Sequence, residues 1–343
     1  MNTSKIVWLA SLLAPLTVSG GQLSTDYATE GTLRIERETT VFLETIDFAM
    51  ERNGEPIESR GGFGGGDVEL MRTVVQLDRV VAHEDGVPTE VERTFESVSG
   101  EDVYAGEGRS LDAPLDGVTL ALALDDDGEV VAEATEGSVG AEQLEGHELT
   151  LALDALLPDE EVTPGDSWEV EAESFMHALG LDLEQALFPL PEQDERGGGE
   201  GGRSRSRGGP RPNPFARVAR GATWDVTARL ADETVELDGV ECLVIELEAE
   251  GSGVLEDPVR FGGGRGRSPG LARNSRAAFE TEFQIDLRGQ LYFAQSLSRP
   301  VQLSVDGTFE LEQASAFERE DTTLSMFRLQ EGTFEQTVAV SSE

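Results

Sequence analysis

The feature that most constrains the fold is a two-residue alternation of apolar and polar side chains. From Leu33 to Phe48 apolar groups fall mostly at every second position, which is the pattern of a strand with one face in water. Similar patterns predict further strands at 68–81, 91–98, 118–124, 129–134, 168–172, 223–230, 240–247, 277–287, 290–298, 301–311 and 322–340. The chain is therefore predicted to be mainly β.

Turn-forming residues separate the predicted strands. The segments from Glu84 to Val87 and from Asp125 to Gly128 each have the composition of a hairpin turn. Among the later strands, turns are expected at Asp238-Gly239, Arg288-Gly289 and Asp306-Gly307. This spacing of short strands and turns indicates an antiparallel sheet.

The segment 156–168 divides the predicted strands into two sets. Pro158 and Pro164 fix φ and lack a backbone donor, so this segment is predicted to be an extended or turning connection. Gly165 and Asp166 then supply the turn that precedes the next strand.

Two helices are predicted near this connection. Residues 141–157 carry apolar side chains among acids at near-helical spacing, and residues 175–188 form a second amphipathic segment that ends before a proline. We expect residues 22–157 to hold the N-terminal hairpins and the first helix, and residues 158–343 to hold the C-terminal β region. One continuous domain over 22–343 is the alternative.

Residues 1–21 are predicted to be a signal peptide. Lys5 precedes an apolar run, and small residues follow that run. We therefore expect export to the periplasm or the extracellular space of a bacterium, and no transmembrane segment in the mature chain. Cys242 is the single cysteine, so no intrachain disulfide forms and the fold depends on packing.

The charge balance restricts the partners. The chain has 68 acidic and 26 basic residues, with a formal net charge of -42, which argues against binding to nucleic acid. Seven arginines lie in the glycine-rich stretch 196–220 and five in the stretch 260–276. Both are predicted to be disordered low-complexity inserts. They are candidates for contact with an envelope protein or a polysaccharide, or are connections attracted to the protein's own acidic body.

No catalytic motif is visible in the sequence. Gly165-Asp-Ser167 matches three residues of the nucleophile block of GDSL-type esterases, but the last histidine is His177, close to this block rather than near the C-terminus. His83 and His147 are isolated, so a histidine metal site would need all three to converge. The acidic turn 125–129 lacks the spacing of a helical calcium loop. We predict no catalytic residue, no metal site and no cofactor.

Three motifs carry a resemblance to a known type of protein. They are G-x-T-L-A-L…D-D-G-x-V at 117–130, L-L-P-x-x-x-V-x-x-G-D-S-W at 156–168, and F-Q-I-D-L-R-G-Q-L at 283–291. In these motifs the chain resembles uncharacterised secreted bacterial β-rich proteins of unknown function, whose pattern is similar to that of periplasmic lipoprotein carriers. The resemblance implies a half-barrel with an apolar hollow, and it brings no catalytic residue.

The predicted fold is thus mainly β (α+β): a curved antiparallel sheet or half-barrel packed around one or two helices, with disordered Arg/Gly-rich loops. The favoured function is that of a non-catalytic exported protein that binds a lipid or other apolar ligand, or docks to an envelope partner. An acidic structural or surface-matrix protein that associates with itself or with polysaccharide is the second interpretation. An uncharacterised hydrolase that uses Ser167 or a carboxylate pair is the third.

The favoured function predicts a set of residues that line the hollow. They are Trp168, Phe175, Met176, Leu179, Leu183 and Phe188. The alternative is that these six side chains fill a closed core.

Overall fold

The computed structural model describes residues 22–27, 31–57, 66–189, 213–258, 278–319 and 322–342. The predicted signal peptide, residues 196–212 of the first Arg-rich insert and all of the insert at 260–276 lie outside these residues. The described chain is mainly β, with one sheet of 13 antiparallel strands that does not close. The predicted fold class, mainly β with a curved antiparallel sheet or half-barrel packed around helices, is confirmed.

The thirteen strands are numbered in chain order. They are β1 Thr32–Arg52, β2 Glu55–Pro56, β3 Val68–Glu84, β4 Val87–Tyr104, β5 Glu107–Ser110, β6 Thr119–Leu124, β7 Val130–Glu136, β8 Ser167–Glu169, β9 Thr223–Leu237, β10 Val240–Pro258, β11 Ala278–Ala294, β12 Arg299–Arg319 and β13 Thr322–Ser342. Their order across the sheet is β7-β6-β4-β3-β1-β13-β12-β11-β10-β9-β8, with β2 beside β1 and β5 beside β4.

The two sets of strands meet at β1. This strand pairs with β3 on one side and with β13 on the other, and Leu33 lies opposite both Asp78 and Ser342. The N-terminal and C-terminal strands are therefore parts of one sheet. Its inner face is the one on which Leu33, Ile35, Val41 and the matching residues of the other strands are buried.

Two of the predicted hairpin turns have the geometry that short hairpins favour. In both Asp85-Gly86 and Asp238-Gly239 each central residue has a positive φ, between 51° and 84°. This is the left-handed conformation of the turns that match the twist of paired strands. The turn at Asp125–Gly128 also separates two paired strands, β6 and β7.

The turns predicted at Arg288-Gly289 and Asp306-Gly307 are wrong. These residues lie inside β11 and β12, and Gly289 pairs with Val305. A Cβ atom added to Gly307 would collide with the carbonyl oxygen of Asp286 and would lie 2.8 Å from the Cα of Leu287. Glycine here permits a close approach of neighbouring strands rather than a reversal of the chain.

The helical segments are shorter than the sequence predicted. Instead of one helix over 141–157 there are two 3₁₀ helices, Ala141–Leu144 and Ala152–Leu156, and Gly146 between them has a φ of 77°. The segment 175–188 is divided between two α-helices described next, because Gly180 has a φ of 65°. A left-handed residue ends a helix, and glycine adopts that conformation without steric cost.

Three α-helices are present in the described chain. They are α1 Ala172–Ala178, α2 Glu184–Leu187 and α3 Pro214–Gly221. The strand predicted at 168–172 is likewise shorter, since β8 is Ser167–Glu169 and α1 begins at Ala172.

Helix α3 corrects the boundary of the first Arg-rich insert. The side-chain oxygen of Asn213 accepts hydrogen bonds from the backbone N–H groups of Phe215 and Ala216, and Pro214 occupies the first turn. These are strong helix-start features. Residues 214–220 are therefore ordered, and the apolar residues of the helix, Phe215 included, are buried against the sheet.

The inner face carries two separate apolar clusters. The major cluster is formed by buried residues contributed chiefly by β1, β9–β13, α1, α3 and the 3₁₀ helix Ala152–Leu156. The minor cluster consists of Val74, Val91, Phe95, Val98, Leu115, Val118, Leu120, Leu122, Leu149, Leu183, Leu187 and Phe188. The helical segments that cover this face are called the cover below: α1, α2, α3 and the two 3₁₀ helices. Within the described residues, no helix has the length and apolar character needed to cross a membrane.

Candidate binding site on the inner face

A row of polar side chains occupies inward positions that would be apolar in an ordinary core. We call this row the polar belt; it consists of Arg37 of β1, Arg72, Gln76 and Asp78 of β3, Arg93 of β4 and Gln336 of β13. Each alternates along its strand with buried apolar residues, such as Ile35 before Arg37 and Val91 before Arg93. Because side chains two apart share a face, the belt points to the inside of the sheet.

The central pair of the belt is a buried ion pair. Arg93 donates from Nε and Nη2 to the two carboxylate oxygens of Asp78, at 2.8 and 2.7 Å. Nη2 also donates to the backbone oxygen of Glu148, at 3.1 Å. Both side chains are less than a tenth exposed. Burial alone would lower the pKa of Arg93, but the charge and hydrogen bonds of Asp78 raise it overall.

Arg72 is paired with two carboxylates, although its Nε, 3.5 Å from Glu184 Oε1, makes no hydrogen bond. It donates to the carboxylate of Asp102 at 2.8 Å and to the backbone oxygens of Met71 and Glu101. Its guanidinium lies 5.0 Å from the centre of the Phe188 ring, which is a cation–π distance. These contacts connect the belt to the minor cluster.

Arg37 differs from the other two arginines. Its Nε is enclosed without a hydrogen-bond partner, as is that of Arg72, but among the described residues no carboxylate lies within ion-pair distance of the Arg37 guanidinium. The guanidinium lies directly on Gly180 of the cover, where a Cβ atom would collide with it. Burial lowers the pKa of Arg37, and the charges of Asp182 and Glu184 offset part of this effect.

A small cavity lies beside Arg37. Its volume is about 30 Å³. The polar part of its lining is Arg37, Gln76, Asp78, Arg93, Glu148, Thr150 and His177; the apolar part includes Ile35, Leu151, Leu153, Leu183, Val338 and Val340. This volume accommodates one or two water molecules or one small polar group. The cavity therefore lies where the polar belt meets both apolar clusters.

His177 closes the cavity from the side of the cover. Its Nδ1 lies 2.7 Å from Asp182 Oδ2, and its Nε2 lies 3.2 Å from Glu148 Oε2. The described residues contain no group of three or more His, Cys, Asp and Glu side chains arranged to hold a metal ion. The distances to Asp182 and Glu148 make His177 a polar contact of the cover.

Beside Arg37, Gln336 of the belt makes a direct polar contact with the end of α1. Gln336 donates from Nε2 to the backbone oxygen of Leu179, at 3.0 Å, and to Thr39 Oγ1, at 2.9 Å. Its Oε1 is buried without a partner. Few hydrogen bonds therefore hold this end of α1 against the sheet.

A second buried carboxyl group lies at the other end of the cover. Asp154, in the 3₁₀ helix Ala152–Leu156, accepts hydrogen bonds from Thr25 and from the hydroxyl of Tyr27. That hydroxyl in turn accepts from the backbone N–H of Leu151 at 2.6 Å. Burial raises the pKa of Asp154 to about 6, although both side-chain hydrogen bonds lower it. This network attaches the segment 22–27 to the cover.

The six residues predicted to line a hollow are divided between the two clusters. Phe175 and Leu179 are buried in the major cluster, where Trp168 and Met176 pack at its margin. Leu183 and Phe188 belong to the minor cluster, and Leu183 also lines the cavity. The structure thus brings Leu183 next to Arg37.

The polar belt was missed by sequence reasoning, although the alternation contains a clue to it. In the run Leu33-Arg-Ile-Glu-Arg37, Arg37 lies two residues after Ile35 and four after Leu33. The two-residue alternation therefore places Arg37 on the inner face. The same is true of Arg93 two residues after Val91. A charged residue at an inward position in three neighbouring strands would have pointed to this site.

Ser167, the residue of the hydrolase interpretation, lies on the outer face. It lines an open groove of about 520 Å³ together with residues that include Arg229, Glu246 and Asp306, and the lining contains no histidine. Its neighbour Asp166 accepts hydrogen bonds from the N–H and the hydroxyl of Thr163, both at 2.7 Å. These bonds stabilise a turn in which Gly165 has a φ of 91°.

Comparison of the sequence with models of known protein families and with curated proteins gives no match. The class of this protein therefore rests on its fold and site: an open antiparallel sheet whose inner face is covered by short helices and crossed by a polar belt.

Proposed function

We propose that the protein is a non-catalytic binding protein that holds an apolar or amphiphilic ligand between the sheet and the cover. The observation that supports this most is the thinness of the cover. The longest described helix has eight residues, and it lies on a sheet of 13 strands that does not close. Apolar ligand sites favour concave surfaces of this kind.

The contacts between cover and sheet are mostly apolar. Phe215 of α3 stacks on Phe334 at a centroid distance of 4.1 Å, and Phe175 of α1 meets Trp224 edge to face at 5.4 Å. An apolar chain that replaced part of the cover would restore the same kind of contact. In that exchange the apolar area of the sheet would stay out of water, and the cost would come from the apolar side chains of the displaced helix.

The proposed setting is outside the cytoplasm of a bacterium. The basis is the charged and apolar composition of residues 1–21. In that setting a carrier would transfer its ligand to or from an envelope partner. Transfer needs a cover that can be displaced, and the few polar contacts of α1 are consistent with this requirement.

Tryptophan fluorescence tests the proposal directly. Trp224 contacts Phe175 of α1, and its Nε1 donates to the backbone oxygen of Ala219 in α3 at 2.9 Å. In a variant with Trp8→Phe and Trp168→Phe, Trp224 is the one remaining tryptophan. We expect its emission to shift when oleyl alcohol or methyl oleate is added, because both helices move away from it.

Native mass spectrometry of the same samples without detergent should show one added C18 mass per chain. Far-UV circular dichroism serves as the control that the sheet stays folded. If neither neutral C18 compound is retained and Trp224 emission does not change, the proposed function is wrong.

A further inference from the structure

We propose that Arg37 binds the carboxylate headgroup of an acidic amphiphile, such as a long-chain fatty acid. This inference rests on the proposed function, because the chain of the amphiphile would occupy the space between sheet and cover. It adds a chemical class of ligand and names the residue that selects it.

The first argument is the unmatched guanidinium of Arg37. The other two arginines of the belt each bond a carboxylate of the protein at 2.8 Å or less, whereas within the described residues Arg37 has no such partner. A buried donor without an acceptor costs free energy, and a charged donor costs more. An acceptor from outside the protein removes this cost.

The second argument is the shape and lining of the cavity. Its volume of about 30 Å³ is suited to a headgroup rather than to a whole ligand. Its lining combines the donors of Arg37 and Gln76 with the apolar side chains of Val338, Val340 and Leu151. A molecule with an acid at one end and an apolar chain at the other matches this arrangement.

The third argument concerns the charge of the headgroup. Asp182 and Glu184 act on Arg37 by Coulomb interaction, and Glu148 lines the cavity. These acids would repel a dianionic phosphate more strongly than a carboxylate with a single negative charge. The planar guanidinium also fits a carboxylate with two parallel hydrogen bonds.

The experiment compares oleate, methyl oleate and acetate at pH 8 and constant ionic strength, with Trp224 emission and calorimetry as readouts. The variants are Arg37→Met, Arg37→Lys and, as a matched control, Arg79→Met. Arg79 lies on β3, and its side chain is 55% exposed, so its loss leaves the cavity intact. A hydrogen bond to a charged group contributes about 1.5–3 kcal/mol, which is about ten- to hundred-fold in affinity.

We expect the unchanged protein to bind oleate about ten- to hundred-fold more tightly than methyl oleate. Arg37→Met should reduce oleate affinity to that of the methyl ester, Arg37→Lys should restore part of it, and Arg79→Met should leave it unchanged.

Three results would overturn the inference, and they differ in whether the proposed function is also wrong. If oleate and methyl oleate bind equally, or Arg37→Met leaves the oleate affinity unchanged, the headgroup site is wrong and the proposed function stands. If acetate binds as tightly as oleate in an Arg37-dependent way, the site belongs to a small free carboxylate and the amphiphile is wrong. If neither C18 compound binds, the proposed function is wrong as well.

Discussion

The inner face of the sheet is filled in two different ways on the two sides of β1. Toward β9 through β13 it is mainly apolar, although Gln336 of the belt lies on β13, and aromatic rings from α1 and α3 pack against it. Toward β3 and β4 it alternates apolar residues with Arg72, Asp78 and Arg93. Apolar packing gives stability most directly, whereas buried charge is a weak source of it. The polar side should therefore contribute less to stability than the apolar side.

The largest effect is expected on the apolar side. Phe334 is fully buried and stacks on Phe215. Phe334→Ala should lower the free energy of unfolding by about 4 kcal/mol, because it leaves a cavity as well as losing burial. Urea denaturation measures this change. Val235→Ala, at a residue 39% exposed, is the control and should change stability by less than about 0.5 kcal/mol. Equal effects of the two substitutions would contradict the closed apolar packing.

For the ion pair of Asp78 and Arg93, removing one partner should lower the free energy of unfolding more than replacing both partners with apolar residues. Asp78→Ala leaves the charge of Arg93 buried, and we expect a loss of about 3 kcal/mol. The double variant Asp78→Leu with Arg93→Met should return to within about 1 kcal/mol of the unchanged protein. A double variant that is less stable than Asp78→Ala would show that the pair itself stabilises the fold.

Two buried titratable groups should give opposite pH dependences. Burial raises the pKa of Asp154 to about 6 from an ordinary 3.8, so the folded state binds its proton more tightly. Its contribution to stability is complete below pH 3.8 and is lost as the pH rises through about 6. When the pH is lowered from 7 to 5, we expect the free energy of unfolding of Asp154→Asn to fall more than that of the unchanged protein, as measured by urea denaturation.

His147 has the reverse sign. Burial, followed by the charge of Arg93, lowers its pKa to about 4 from 6.5, so the folded state holds the ring neutral. This contribution is complete above pH 6.5 and is lost as the pH falls toward 4. When the pH is lowered from 7 to 5, the free energy of unfolding of His147→Gln should therefore fall less than that of the unchanged protein. If both variants follow the unchanged protein, these two groups do not determine the pH dependence.

The smallest effect on folding is expected at Arg37. Arg37→Met removes an unmatched buried donor and keeps most of the side-chain volume. Its free energy of unfolding should stay within about 1 kcal/mol of the unchanged protein, or increase. A loss of more than about 3 kcal/mol would mean that Arg37 is structural, because that is the cost of breaking a matched buried pair.

The strands could be predicted from the sequence because apolar and polar side chains alternate along each of them. The prediction was wrong where a local pattern had two physical meanings. Gly289 and Gly307 look like turn residues, but they serve a close approach between strands, which depends on neighbours far along the chain. Gly180 interrupts what looked like one helix because it adopts a left-handed conformation over Arg37.

The candidate site was predictable only in part for a similar reason. The apolar residues from Phe175 to Phe188 were identified as a group, but their division between two clusters depends on the path of the chain after Gly180. The arginines of the belt were visible at inward positions of the alternation. Arg93 has a carboxylate partner and, within the described residues, Arg37 has none. This difference depends on strand register and on the cover, which no local pattern specifies.

The pairing of β1 with β13 has a consequence for the order of folding. Leu33 lies opposite Ser342, so the centre of the sheet joins residues about 300 positions apart in sequence. On a chain synthesised from its N-terminus, β1 can pair early with β3, but its other edge has no β13 to pair with until nearly all other described strands have emerged. We expect slow folding in which the pairing of β1 with β13 forms late, since contacts of such large sequence separation form last. In pulse-labelled hydrogen exchange, the amides that join β1 to β13 would then gain protection after those of the local hairpins.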